Sequence, residues 1–172
     1  MPNWCENRIE GDFTMEQLAP YIKDESGGQF LDAEKIKPIG EYDQDTAVEQ
    51  WGTKWPPEIH ASDDGYILCD SAWSPPSGII KALSEKLNAA LTCSYHEPGM
   101  SFCGAEAYNR GEFRGGVEYE MESKEGIAFL QEEFPEYLEE LEEFPELLEE
   151  LEEMNRIDEE VGDASDGGGI KA

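Results

Sequence analysis

Residues 132–141 read EEFPEYLEEL and are followed at once by EEFPELLEEL at 142–151, a tandem ten-residue duplication whose single difference is Tyr137 against Leu147. Residues 132–153 hold twelve glutamates and no base. So charged a segment cannot enclose a core of its own. All four tryptophans and most of the tyrosines lie before residue 120, and it is this earlier stretch that must hold the fold, because large aromatics dominate small cores. The expected organisation is therefore an α+β domain over 1–117, an acidic helical extension over 118–157 and a disordered tail over 158–172. A chain of 172 residues suits one such domain with an appendage.

Charge follows the same division. Forty-one acids against twelve bases leave a net charge of −29. Residues 1–117 contribute nine bases and twenty acids, net −11, and residues 118–172 three bases and twenty-one acids, net −18. No basic patch interrupts this balance, so neither direct nucleic-acid binding nor attachment to an anionic membrane is expected. No apolar run approaches the roughly 20 residues of a membrane span, and the first residues have neither the basic start nor the apolar stretch of a signal peptide. A cytoplasmic protein is expected. Four scattered cysteines, Cys5, Cys69, Cys93 and Cys103, read as buried free thiols rather than a disulfide framework.

Pattern along the chain gives the elements. Residues 3–10 read as a strand. Thr14 is a candidate N-cap for a helix carrying Met15, Leu18, Ala19 and Ile22. Residues 30–48 read as an irregular loop, residues 50–55 as a second strand and residues 66–73 as a third, the latter two forming a hairpin. A helix from Pro76 to Leu87 is marked by Ile79, Ile80, Leu83 and Leu87. Strands over 91–96 and 100–108 follow. This order matches a ferredoxin-like split βαβ fold, an antiparallel sheet with helices on one face.

In the extension, Ile127, Leu130, Phe134, Tyr137, Leu141, Phe144, Leu148 and Leu151 recur at alternating steps of three and four, a heptad seam. Pro135 and Pro145 lie off that seam but remove a backbone donor each, so a break with a helix restart at each proline is expected.

Three segments together resemble a known family: Met1-Pro2-Asn3-Trp4-Cys5-Glu6-Asn7, Trp51-Gly52-Thr53-Lys54-Trp55 and Ser71-Ala72-Trp73-Ser74-Pro75-Pro76. They resemble the phage- and plasmid-borne YubB or Api92-like proteins with a ferredoxin-like domain, over about residues 1–117. The resemblance implies a ferredoxin-like fold, a mobile-element setting and a host-cell cytoplasm. It implies no catalytic residue, and it places the glutamate repeat outside the family's common pattern.

Candidate chemistry is sparse. No phosphate-binding glycine loop, zinc-protease helix or nucleophile elbow occurs, so no enzyme, no catalytic residue and no cofactor is expected. Cys93, His96 and Cys103 offer ligand types for a metal, but their spacing fits no zinc template and strand alternation sets Cys93 and His96 on opposite faces. No metal site is expected. Trp51, Lys54, Trp55 and Trp73 form an aromatic and cationic set, read either as a recognition surface or as core tryptophans beside a surface lysine.

The strongest signal is acidic. Glu132, Glu133, Glu136, Glu139, Glu140, Glu142, Glu143, Glu146, Glu149 and Glu150 are candidate partner-binding residues. A helix over 132–153 would be about 33 Å long, with one charge per about 2.8 Å against about 1.7 Å along duplex DNA. Same-sign i,i+4 pairs each cost it about 0.2–0.5 kcal/mol, so docking of the seam or a basic partner must offset them. The leading expectation is a non-enzymatic accessory protein of a phage or mobile element that binds a basic host or defence protein as a DNA mimic. Its alternative is a small binding or assembly module acting through the sheet surface, with the tail solubilising or self-associating through the seam.

Overall fold

The computed structural model describes residues 3–141 together with 149, 153 and 156. The expectations for the second repeat, the restart at Pro145, the far half of the seam and the tail over 158–172 lie outside the described residues.

Strand β1 (Trp4–Gly11) buries Cys5, Asn7 and Ile9 and turns Glu6, Arg8 and Glu10 the other way. Helix α1 (Met15–Leu18) starts in a capping box, with Thr14 Oγ1 accepting from Gln17 N at 3.2 Å and Gln17 Oε1 from Thr14 N at 2.9 Å. Only one turn follows. Pro20 tightens the chain into a 3-10 turn over Ala19–Tyr21, and Ile22, expected on the helix, instead opens β2 (Ile22–Glu25). With β3 (Gly28–Leu31) it forms a hairpin through Ser26 and Gly27 at φ 52° and 82°, the positive pair of a two-residue turn.

The expected loop over 30–48 holds two further helices. In α2 (Ala33–Ile36) Asp32 caps Lys35 N, and in α3 (Gln44–Trp51) Asp43 accepts from both Thr46 N and Thr46 Oγ1. The strand expected over 50–55 is thus replaced by the last turn of α3 and an irregular loop. Gly52 at φ 82° ends the helix in the left-handed conformation that glycine takes without penalty.

A hairpin is formed instead by β4 (Glu58–Asp63) and β5 (Tyr66–Ala72). Helix α4 (Ser77–Lys86) buries Ile79, Ile80 and Leu83 and packs against α2, α3 and β6 (Ala90–Glu97). The chain continues through β7 (Phe102–Asn109), β8 (Glu112–Glu120), α5 (Lys124–Glu133) and α6 (Pro135–Leu141). Strand β8 has no counterpart among the expected elements.

The eight strands are ordered β2-β3-β4-β5-β1-β6-β7-β8. The centre of the sheet, β4-β5-β1-β6, is antiparallel at every step, with Asn7 opposite both Cys69 and Tyr95. That is the ferredoxin-like arrangement: β5 separates β1 from β4, and the two crossovers carry α1–α3 and α4. The hairpin β2–β3 and the strands β7 and β8 extend it.

Two compact units divide the chain, residues 1–100 with 104–117 and residues 101–103 with 118–172. The core of the first is built from Ile9, Leu18, Leu31, Ile36, Ile67, Ile79, Ile80, Leu83 and Leu91. That of the second gathers Cys103, Met121, Leu130 and Phe134, with Tyr119, Phe129, Tyr137 and Leu138 packed against it. Ser123 caps α5, which ends at Glu133; Phe134 leaves helical geometry at φ −134° and Pro135 opens α6, the restart the sequence implies.

Candidate functional site

The three segments that carry the family resemblance meet at the end of the sheet where β1 begins and β5 ends, Trp4 lying opposite Ala72. Asn7, fully buried, explains part of the convergence. Its Nδ2 donates to Ser71 Oγ at 2.8 Å, to Cys5 O at 3.0 Å and to Cys69 O at 3.3 Å, so one amide ties β1 to β5. Ser71 Oγ in turn donates to Ser74 O at 2.6 Å. A buried polar network of this kind is stable only when its members are bonded, and here they are.

Further bonds lace the two loops together. Thr53 Oγ1 donates to Ala72 O and accepts from Ala72 N, both at 3.1 Å, and Ser74 Oγ donates to Gly52 O. A Cβ on Gly52 would come within 2.9 Å of Ser77 N. Only glycine allows the loops this close. Trp73 N donates to Asn3 O at 2.8 Å, and Trp73 itself sits at φ 73°, a left-handed conformation unusual for a bulky side chain.

On this frame the tryptophans separate. Trp51 is core, with Nε1 donating to Lys37 O at 2.7 Å. Its neighbours are not. The Lys54 ammonium lies 5.0 Å from the Trp55 ring centroid and 4.9 Å from that of Trp73, so one cation is shared by two indoles. Trp4 meets Trp55 at 6.0 Å between centroids, and Tyr42 Oη donates to Lys54 O at 2.7 Å. Trp4 is 41% exposed, Trp73 40% and Tyr42 54%. Residues 51–55 form no strand, yet Lys54, Trp55 and Trp73 do come together. Trp4 belongs to the first resembling segment but carries no mark of its own there; no sequence signal marks Tyr42.

The acidic candidates are distributed differently. Glu132, Glu136, Glu139, Glu140 and Glu149 are exposed and Glu133 is half-buried. Glu142, Glu143, Glu146 and Glu150 lie outside the described residues. The opposite side of α5 and α6 buries Ile127, Leu130 and Phe134 and half-buries Tyr137, so the near half of the seam docks within its own unit.

The thiols are inert by position. Cys5 and Cys93 direct Sγ toward Asn7 Oδ1 at 3.6 and 3.8 Å, and Cys103 donates to Gly126 O at 3.8 Å. Burial pushes the Cys103 thiol up to about 11 and raises Cys5, Cys69 and Cys93 further. His96 Nε2 stands 3.7 Å from Glu6 Oε1, and this imidazole holds the Glu6 carboxyl below its ordinary range. Among the described residues no three or more His, Cys, Asp and Glu side chains are grouped to hold a metal ion. No helix among them is long and apolar enough to cross a membrane.

A family model described as the ferredoxin-like domain in Api92-like protein matches residues 50–151. The chain belongs to this family. The match runs past the limit of 117 that the resemblance implied, so α5, α6 and the repeat fall inside the Api92-like domain rather than beyond it. The uncharacterized protein YubB of Escherichia coli is 37% identical over 72 residues, covering 38% of this chain and 50% of that protein. The chain thus spans about half the length of the curated relative it matches. A crystal structure of a protein api92 from Yersinia pseudotuberculosis is similar at 21% identity and a TM-score of 0.36, over 52% of this chain and 36% of the other.

Proposed function

We propose that this Api92-like chain is a non-enzymatic binding module whose recognition surface is formed by Trp4, Tyr42, Lys54, Trp55 and Trp73. One observation carries the reading: a lysine shared between two indoles, with exposed aromatics on either side, is held on a loop pair laced by Asn7, Ser71, Thr53 and Ser74. Large rigid aromatics with little conformational freedom left to lose are what binding hot spots are made of. In the setting the resemblance implies, an accessory protein of a mobile element in the host cytoplasm, the partner is a host or defence protein.

The test is a pair of substitutions in the full chain. Trp73→Gly removes the ring while suiting φ 73°, and Lys54→Met keeps the stem while removing the charge. A partner captured from host lysate and then purified should bind each variant at least about tenfold more weakly, a change of about 1.4 kcal/mol. Unchanged affinity with both variants folded would remove the cluster from this role.

A second reading is favoured by the outward set of Glu132, Glu136, Glu139 and Glu140, held in place by buried Leu130 and Phe134. Such a face suits a basic, nucleic-acid-binding protein and acts as a DNA mimic. It ranks second because docking of the seam already offsets the like-charge repulsion along α5 and α6 without a partner. Here replacement of the four glutamates by glutamine should weaken capture, and duplex DNA should compete for the partner; indifference to both would end the idea.

A further inference from the structure

We infer that the aromatic cluster takes an extended, proline-containing peptide segment bearing a carboxylate, with the carboxylate on Lys54 and the prolines across Trp4, Trp55 and Trp73. This rests on the binding-module reading and names the chemistry of its ligand.

The argument begins with what Lys54 lacks. In a chain of forty-one acids and twelve bases, a lysine ammonium has carboxylates to choose from. None of the ion pairs Lys23–Glu25, His60–Asp70, His96–Glu6, Arg114–Glu112 and Arg156–Glu153 involves it. Lys54 instead rests on the faces of Trp55 and Trp73. The indoles satisfy its charge only in part, since a cation over an exposed ring is weakly held, and among the described residues its N–H donors meet no side-chain oxygen. An incoming carboxylate completes the site.

The cation also excludes ligands. The slot between two indoles that would otherwise receive a quaternary or guanidinium group is filled from within, so a basic peptide meets like charge there. What remains on offer is apolar ring surface, Trp4 and Trp73 about two-fifths exposed and Tyr42 more so. Aromatic surfaces of this kind receive the polyproline helix, which is already extended and has little entropy to lose on docking. The net charge of −29 opposes a highly acidic ligand at long range, but that repulsion is screened beyond about 8 Å at physiological salt. A segment with one carboxylate among prolines is therefore favoured over a run of acids.

The measurement is a titration of the full chain, followed by tryptophan fluorescence and calorimetry, with the blocked peptide Pro-Pro-Glu-Pro-Pro and its Gln and Lys counterparts. The Glu peptide should bind about tenfold more tightly than the Gln peptide, and the Lys peptide most weakly. Lys54→Met should erase the difference between Glu and Gln while leaving the Gln peptide unaffected. Trp73→Gly should weaken both. Failure of the Glu peptide to saturate, equal binding of Glu and Gln peptides to the parent, or preference for the Lys peptide or for single-stranded DNA would overturn the inference. If a host partner is lost on Trp73→Gly while the peptides fail, only the ligand chemistry falls and the binding-module reading stands.

Discussion

Trp73 shows how far single residues can be read. Its segment, Ser71-Ala72-Trp73-Ser74-Pro75-Pro76, is recognisable in the sequence, and so is Trp51-Gly52-Thr53-Lys54-Trp55, but not that the two are stitched by Thr53 and Ser74. Long-range hydrogen bonds leave no periodic trace in a sequence. Burial of the thiols is legible, because four scattered cysteines without a framework belong in a core, and all four are buried. That burial has a pH consequence. Desolvation raises the folded-state values of Cys5, Cys69, Cys93 and Cys103 above the ordinary 9.0, Cys103 to about 11. The folded chain thus keeps protons that the unfolded chain releases. Stability from these groups is complete below about pH 9 and is lost as the pH climbs through the folded values. Urea midpoints should be level near pH 8 and fall steadily toward pH 11, with thiol-reactive dyes slow until unfolding. A flat midpoint, or four fast thiols in the native chain, would show that the thiols are open to solvent.

Among elements, legibility tracks the strength of the pattern. Helix α4 is plain from Ile79, Ile80 and Leu83, and the seam from its three-four spacing, whose near half buries Ile127, Leu130 and Phe134. Helix α3 escapes the sequence because only Ala47 and Trp51 face inward, while the alternation of Trp51, Thr53 and Trp55 imitates a strand. Strand β8 hides because Gly115 and Gly116 interrupt it and nearly all of it is exposed, leaving no buried face to detect. In the second unit, Phe134 is fully buried in a small cluster with Cys103, Met121 and Leu130. Phe134→Ala should cost about 3–5 kcal/mol in urea unfolding, the usual range for a buried phenylalanine. Glu139→Gln, on the exposed side, should change stability by less than about 0.5 kcal/mol. Equal effects from the two would mean that the seam does not dock.

For the whole molecule, charge is the largest influence that no single contact reveals. The imbalance is obvious in the sequence. The ion pairs Lys23–Glu25, Arg114–Glu112 and Arg156–Glu153 are each formed by side chains at least half exposed, where such pairs contribute little. Among the described residues, Glu125, Glu132, Glu136, Glu139, Glu140, Glu149 and Glu153, on and beyond α5 and α6, are likewise open to water. A compact state with net charge −29 therefore repels itself more than its expanded form does, and the repulsion reaches further when salt is low. At about 0.01 M the Debye length is about 30 Å, longer than the spacing between most of these charges; at about 0.15 M it is about 8 Å. Raising ionic strength across that interval should stabilise the fold, the reverse of what a molecule held by surface ion pairs would do. Chloride salts of sodium and potassium should act alike, since screening and not specific binding is at work. Replacing Glu132, Glu136, Glu139 and Glu140 by glutamine should raise the low-salt urea midpoint and flatten its salt dependence, because part of the repulsion is gone before any salt is added. A midpoint that falls with salt would show that attractive pairs outweigh the net charge, and a midpoint unchanged by the four substitutions would place the source of the repulsion outside α5 and α6.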